Sequence, residues 1–67
     1  MSVKTAETAN TERELLRAGY AYALSLSHRK HDAEDLAQQA WLNLMRRYGK
    51  VENRAILYTT IRNHFYD

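Results

Sequence analysis

The chain has no cysteine and no proline, and its 67 residues include only two glycines, Gly19 and Gly49. Without cysteine there is no disulfide, no thiolate zinc site and no thiol nucleophile, and nothing ties the fold to an oxidising compartment. Without proline, few residues are left that could break a helix. No apolar run approaches the roughly 20 residues that span a bilayer, and the polar opening MSVKTAETAN lacks the apolar core of a signal peptide. The protein is therefore expected to be soluble and cytoplasmic, with no membrane partner. A chain this short makes one domain and buries only about 60% of its unfolded surface, so its stability is small.

Charge of one sign is also scarce. Ten Lys and Arg against eight Asp and Glu leave a net charge of +2, too little to name a partner. The distribution says more. In HDAEDLAQQAWLNLMRRYGK, which starts at His31, the acids Asp32, Glu34 and Asp35 crowd the start, and Arg46, Arg47 and Lys50 crowd the end. Arg54 and Arg62 continue the basic half, with Glu52 as the one acid among them. Segregated charge within one domain fits two contact surfaces, although a solvated face with scattered charge would account for it as well.

What is present is helical periodicity. The fold expected is all-α, a small three-helix bundle with helices near 11–29, 32–48 and 53–67, preceded by a flexible tail over residues 1–10. Thr11 with Glu14 fits a capping box at the start of the first helix. Leu15, Gly19, Tyr22, Ala23 and Leu26 then follow helical spacing, and Leu16, Tyr20 and Leu24 form a second stripe beside them. Arg29 and Lys30 fall where cations favour the negative end of a helix dipole. Asp32 can cap the second helix, whose core stripe runs through Ala33, Leu36, Ala37 and Ala40 to Trp41, Leu44, Met45 and Tyr48. Gly49 suits the position just past a helix end, and Asn53 can cap the third helix, which should bury Leu57, Ile61 and Phe65 beside Tyr58 and Ala55. The sequence closes on Asp67 with an acid and no glycine where a base would be favoured, which reads as the first domain of a longer chain.

Little of this supports catalysis. No glycine-rich phosphate loop occurs. His28, His31, Asp32 and Asp35 straddle a break between helices at a spacing that matches no standard metal site. Ser25 or Ser27 with a nearby histidine lacks the orienting acid and the oxyanion pocket that a triad needs. No enzyme, metal or cofactor is expected.

Two polar faces stand out instead. On the second helix Asp35, Gln38, Gln39 and Leu42 are mutual neighbours at i, i+3, i+4 and i+7. Two amides and an acid around an exposed leucine suit an arginine-bearing partner helix, and plain solvated surface is the competing account. On the third helix Thr59, Arg62, Asn63 and Tyr66 share a face, with Tyr48, Lys50, Asn53 and Arg54 in or beside the connector. Arginine to hold phosphates, amides to read base edges and aromatics to stack on bases make up the kit for single-stranded nucleic acid.

DAEDLAQQAWLNLMRRY, followed by a short loop and AILYTTIRNHFYD, resembles region 2 of the extracytoplasmic-function sigma factors, bacterial transcription initiation factors of the sigma-70 family. Asp35, Leu36, Gln38 and Trp41 match that family's aspartate-leucine-x-glutamine-x-x-aromatic helix. Leu57, Tyr58, Arg62, Asn63 and Asp67 match its later motif. The resemblance covers about residues 13–67. It implies that Asp35, Gln38, Gln39 and Leu42 dock on the clamp helices of the RNA polymerase β′ subunit. It further implies that Lys50, Asn53, Arg54, Thr59, Arg62, Asn63 and Tyr66 face promoter DNA, taking the non-template single strand of the minus-ten element. An anti-sigma factor is an implied partner.

The sequence departs from that family in three places. Gln39 stands where glutamate is frequent, which weakens an ion pair with polymerase arginines. The loop GKVEN is several residues short, which reduces a base-capturing pocket. Ile56 replaces a usual tryptophan. The second DNA-binding domain that such factors carry is missing here. Two other readings remain open: a sigma-like interaction module without promoter reading, and an unrelated helix-turn-helix DNA-binding domain, for which GKVEN is a long turn.

Overall fold

The computed structural model describes the backbone of residues 2–67 and the side chains of residues 11–67. Three helices follow one another, α1 (Ser2–Ser27), α2 (Lys30–Tyr48) and α3 (Arg54–Tyr66), and among the described residues there is no strand. Each helix packs against both others, as the expected three-helix bundle requires.

The core is built from small steps. Leu15, Gly19 and Ala23 of α1 lie one turn apart and are buried, and so are Ala33, Ala40 and Leu44 of α2 and Leu57 and Ile61 of α3. Three alanines and a glycine among these residues bring the backbones close together. A Cβ added to Gly19 would stand 2.8 Å from Leu57 Cδ2, so glycine is what lets α1 approach α3 there. Beside this contact the rings of Tyr22 and Tyr58 stack with centroids 4.5 Å apart.

The helix ends differ from expectation at one junction and agree at the other. Thr11 does not cap α1. The helix runs unbroken from Ser2, so the N–H groups that a capping box would satisfy are bonded within the helix. The tail expected over residues 1–10 falls on a segment whose side chains lie outside the described residues. At the far end α1 stops at Ser27, not near Arg29, because His28 takes a left-handed conformation (φ 62°) and its N–H donates to Leu24 O at 2.8 Å. Arg29 precedes α2 without a side-chain cap, and Asp32 sits in the first helical turn instead of capping it. Its carboxylate there still meets the positive end of the dipole.

The second junction behaves as the sequence predicts. Gly49 is left-handed at φ 77°, and its N–H donates to Met45 O at 2.8 Å. Asn53 caps α3, its Oδ1 accepting from the Ile56 N–H at 3.0 Å.

Several side chains expected inside are outside. Tyr48 is 57% exposed, Met45, Phe65 and Leu16 are exposed, and Trp41 is only half-buried. Ala55 is exposed as well. In a bundle of three short helices each helix has only two neighbours, so a stripe eight residues long on α2 is wider than the surface available to cover it.

Candidate functional site

All four residues of the predicted α2 stripe, Asp35, Gln38, Gln39 and Leu42, are exposed, with Leu42 at 51%. They do not converge on one feature. Gln38 and Leu42 line an open groove of about 370 Å³ between α1 and α2, with Leu16 and Tyr20 on one side and Ala37 and Trp41 on the other. Nearly all of that lining is apolar. Asp35 lines a separate hollow with Asp32, Leu36 and Phe65, and Gln39 borders neither.

The groove follows from the two amphipathic stripes. Leu16 and Tyr20 stand one turn apart on α1, outside the row that meets α3, and Ala37 and Trp41 stand one turn apart on α2. The two rows face each other across the helix pair without closing. The second apolar stripe on α1 was the sequence signal for this feature, but its counterpart on α2 was assigned to the core. Leu16, Tyr20 and Trp41 therefore join the candidate surface.

On the basic side, Tyr48, Lys50, Glu52 and Ile56 line a hollow of about 320 Å³ at the α2–α3 connector. Lys50 Nζ lies 3.7 Å from Glu52 Oε2, an exposed pair that weakly offsets the lysine's charge. Asn53 is committed to the fold through its cap, which leaves its side-chain NH₂ and the second lone pair of Oδ1 for another partner. Arg54 is exposed at the start of α3. Thr59, Arg62, Asn63 and Tyr66 are all exposed on α3, as their spacing predicts, and Tyr66, 71% exposed, packs edge-on against Phe65.

Asn63 also lines a cavity. It borders a cleft of about 240 Å³ between α2 and α3, with Asn43 and Arg47 on the facing helix. Sequence reasoning missed Asn43 and Arg47, and it placed Tyr48 both in the core stripe and beside the connector; the structure leaves it exposed at the connector hollow. Among the described residues no group of three or more His, Asp or Glu side chains is placed to hold a metal ion. No helix among them is long and apolar enough to cross a membrane.

The family described as Sigma-70 region 2 matches residues 13–67, a span that takes in α1 from Arg13 onward, the whole of α2 with its exposed stripe, the connector and α3. The chain belongs to the sigma-70 region 2 family. No curated protein and no solved structure matches it. A sigma-70 region 2 domain is a non-enzymatic part of a sigma factor. It acts in transcription initiation with core RNA polymerase and promoter DNA. Membership sets aside the unrelated helix-turn-helix reading.

Proposed function

We propose that this is a region 2 domain of the extracytoplasmic-function type that works in the cytoplasm and joins the β′ clamp helices of RNA polymerase to the minus-ten element. In this reading Asp35, Gln38, Gln39 and Leu42 dock on the clamp helices. Lys50, Asn53, Arg54, Thr59, Arg62, Asn63 and Tyr66 hold the non-template single strand. The observation that carries it is the apolar groove beside Gln38 and Leu42. An amide and a leucine at the rim of an open hydrophobic trough suit a partner helix that inserts apolar side chains and is oriented by polar ones. An anti-sigma factor fits the same reading, as a protein that covers this groove while the sigma factor is held inactive.

The domain alone should bind promoter DNA weakly. Opening a duplex and extracting a base costs a few kcal/mol, and that cost is met within the holoenzyme.

The test is binding of the purified domain to a β′ clamp-helix fragment, wild type against Gln38→Ala/Leu42→Ala. Both side chains are exposed, so the double variant should fold normally, with binding reduced about five- to thirtyfold, in keeping with about 1–2 kcal/mol lost from two interface residues. A folded wild type that does not bind the fragment would sink the docking assignment.

A further inference from the structure

Asp35 lies in the acidic first half of α2 and Arg46 in its basic last turn, eleven residues apart. At about 3.6 residues per turn that separation is close to three full turns, so the two side chains share one flank of the helix. Both are exposed, and neither forms an ion pair with any described residue. Between them on the outward ridge stand Gln38 and Leu42, with Leu42 51% exposed and Met45 exposed beside it. The ridge thus carries an acid at one end, a base at the other and an uncovered apolar centre.

We infer that this ridge is the contact between two copies of the chain, packed α2 against α2 in antiparallel sense about a twofold axis at the level of Ala40 and Trp41. That level is midway between Asp35 and Arg46, so the axis sets each Asp35 against Arg46 of the other copy, once at either end of the contact. The two Leu42 side chains then meet near the centre, flanked by Gln38 of each copy. A parallel pairing would set Asp35 on Asp35 and Arg46 on Arg46, so charge selects the antiparallel one. The net charge of +2 is too small to hold two copies apart.

The apolar centre supplies the attraction, because exposed ion pairs add little, and the charges supply the register. Leu42 also borders the α1–α2 groove, so Leu16, 46% exposed, and Trp41 widen the apolar surface beside the ridge. One helix ridge with a groove rim makes a contact at or below the ~1,200 Å² of transient complexes, for which a dissociation constant on the order of 100 µM is expected. The inference goes beyond polymerase docking and does not rest on it. Where both hold, they exclude each other, because Asp35, Gln38 and Leu42 cannot face a second copy and the clamp helices at once.

Sedimentation equilibrium of the purified chain between about 10 µM and 1 mM reads the association directly, with circular dichroism to show that each variant is folded. Wild type should rise from 7.9 kDa toward twice that mass. Leu42→Asp should stay a monomer throughout. Asp35→Arg and Arg46→Asp should each weaken the dimer about tenfold, because either one sets like charges together at both ends of the contact. An equimolar mixture of those two variants should associate as tightly as wild type, since both ends then pair opposite charges. Arg46→Asp takes two units from the net charge of +2 and leaves zero, so general attraction between the chains does not account for such a rescue. A folded wild type that stays monomeric at millimolar concentration overturns the dimer. A dimer that the variants leave intact, or that the mixture does not restore, overturns this contact and its register. Clamp-helix docking is read in its own binding assay and is left standing by each of these results.

Discussion

His28 occupies the one non-glycine position with positive φ among the described residues, at the point where α1 must end and α2 begin two residues later. An L-residue in that conformation costs about 1–2 kcal/mol, and histidine is among the types that tolerate it best. His28→Gly removes the strain and adds the glycine's own chain entropy, so a net gain of up to about 1 kcal/mol is expected. Thermal unfolding should show it as a Tm several degrees higher, and an unchanged or lower Tm would mean that the imidazole makes contacts worth as much as the strain. Trp41 is a contrasting case. Its place in the helical stripe of α2 reads as core, yet the structure leaves it half-buried on the wall of the α1–α2 groove. Trp41→Ala should therefore cost about 2 kcal/mol, below the roughly 3–5 kcal/mol of a fully buried aromatic, and should also lose clamp-helix binding. Denaturant titration beside a binding assay separates the two effects. A variant that fails to fold at all would return Trp41 to the core.

At the scale of the element, the α2–α3 junction gives the clearest separation of fold from function. Asn53→Ala removes the acceptor for the Ile56 N–H and should lower stability by about 1 kcal/mol. Asn53→Asp keeps an equally good cap, so stability should hold while single-strand binding weakens through repulsion of phosphate. If Asn53→Asp binds DNA as wild type does, the residue serves the helix alone. This junction was legible in the sequence, because a left-handed glycine and an asparagine cap are local chemistry that any neighbouring element leaves intact. The α1–α2 junction was not. SLSHRKHD holds three residues that tolerate a left-handed turn, His28, His31 and Asp32, with nothing to choose among them, and Asp32 competes for the cap on propensity alone. The α2 stripe and the α3 row were also legible as faces, since 3.6-residue periodicity fixes which side chains share a side. Which of them line a cavity was not, because a groove belongs to two helices at once and depends on their relative register. That register is set by Gly19 against Leu57 and by the buried alanines, contacts between residues far apart in the sequence.

For the molecule as a whole, the two proposed faces differ in physical character and should respond differently to salt. Strand binding that neutralises three phosphates should fall about twentyfold between 50 and 200 mM salt. Docking into a groove lined almost wholly by apolar surface should change little over the same range. Parallel titrations check this, and a clamp-helix interaction as salt-sensitive as DNA binding would show that charge rather than the groove carries it. Helix α2 borders both hollows: Leu42 lines the apolar groove and the very next residue, Asn43, lines the α2–α3 cleft. Each residue turns a helix by about 100°, so one added between Gln38 and Arg47 would swing one face by that angle relative to the other. The connector between the Gly49 terminator and the Asn53 cap can change length without altering spacing along α2. An insertion or deletion within those ten residues of α2 therefore shifts one hollow against the other even at positions whose side chains touch nothing, whereas one between Gly49 and Asn53 does not.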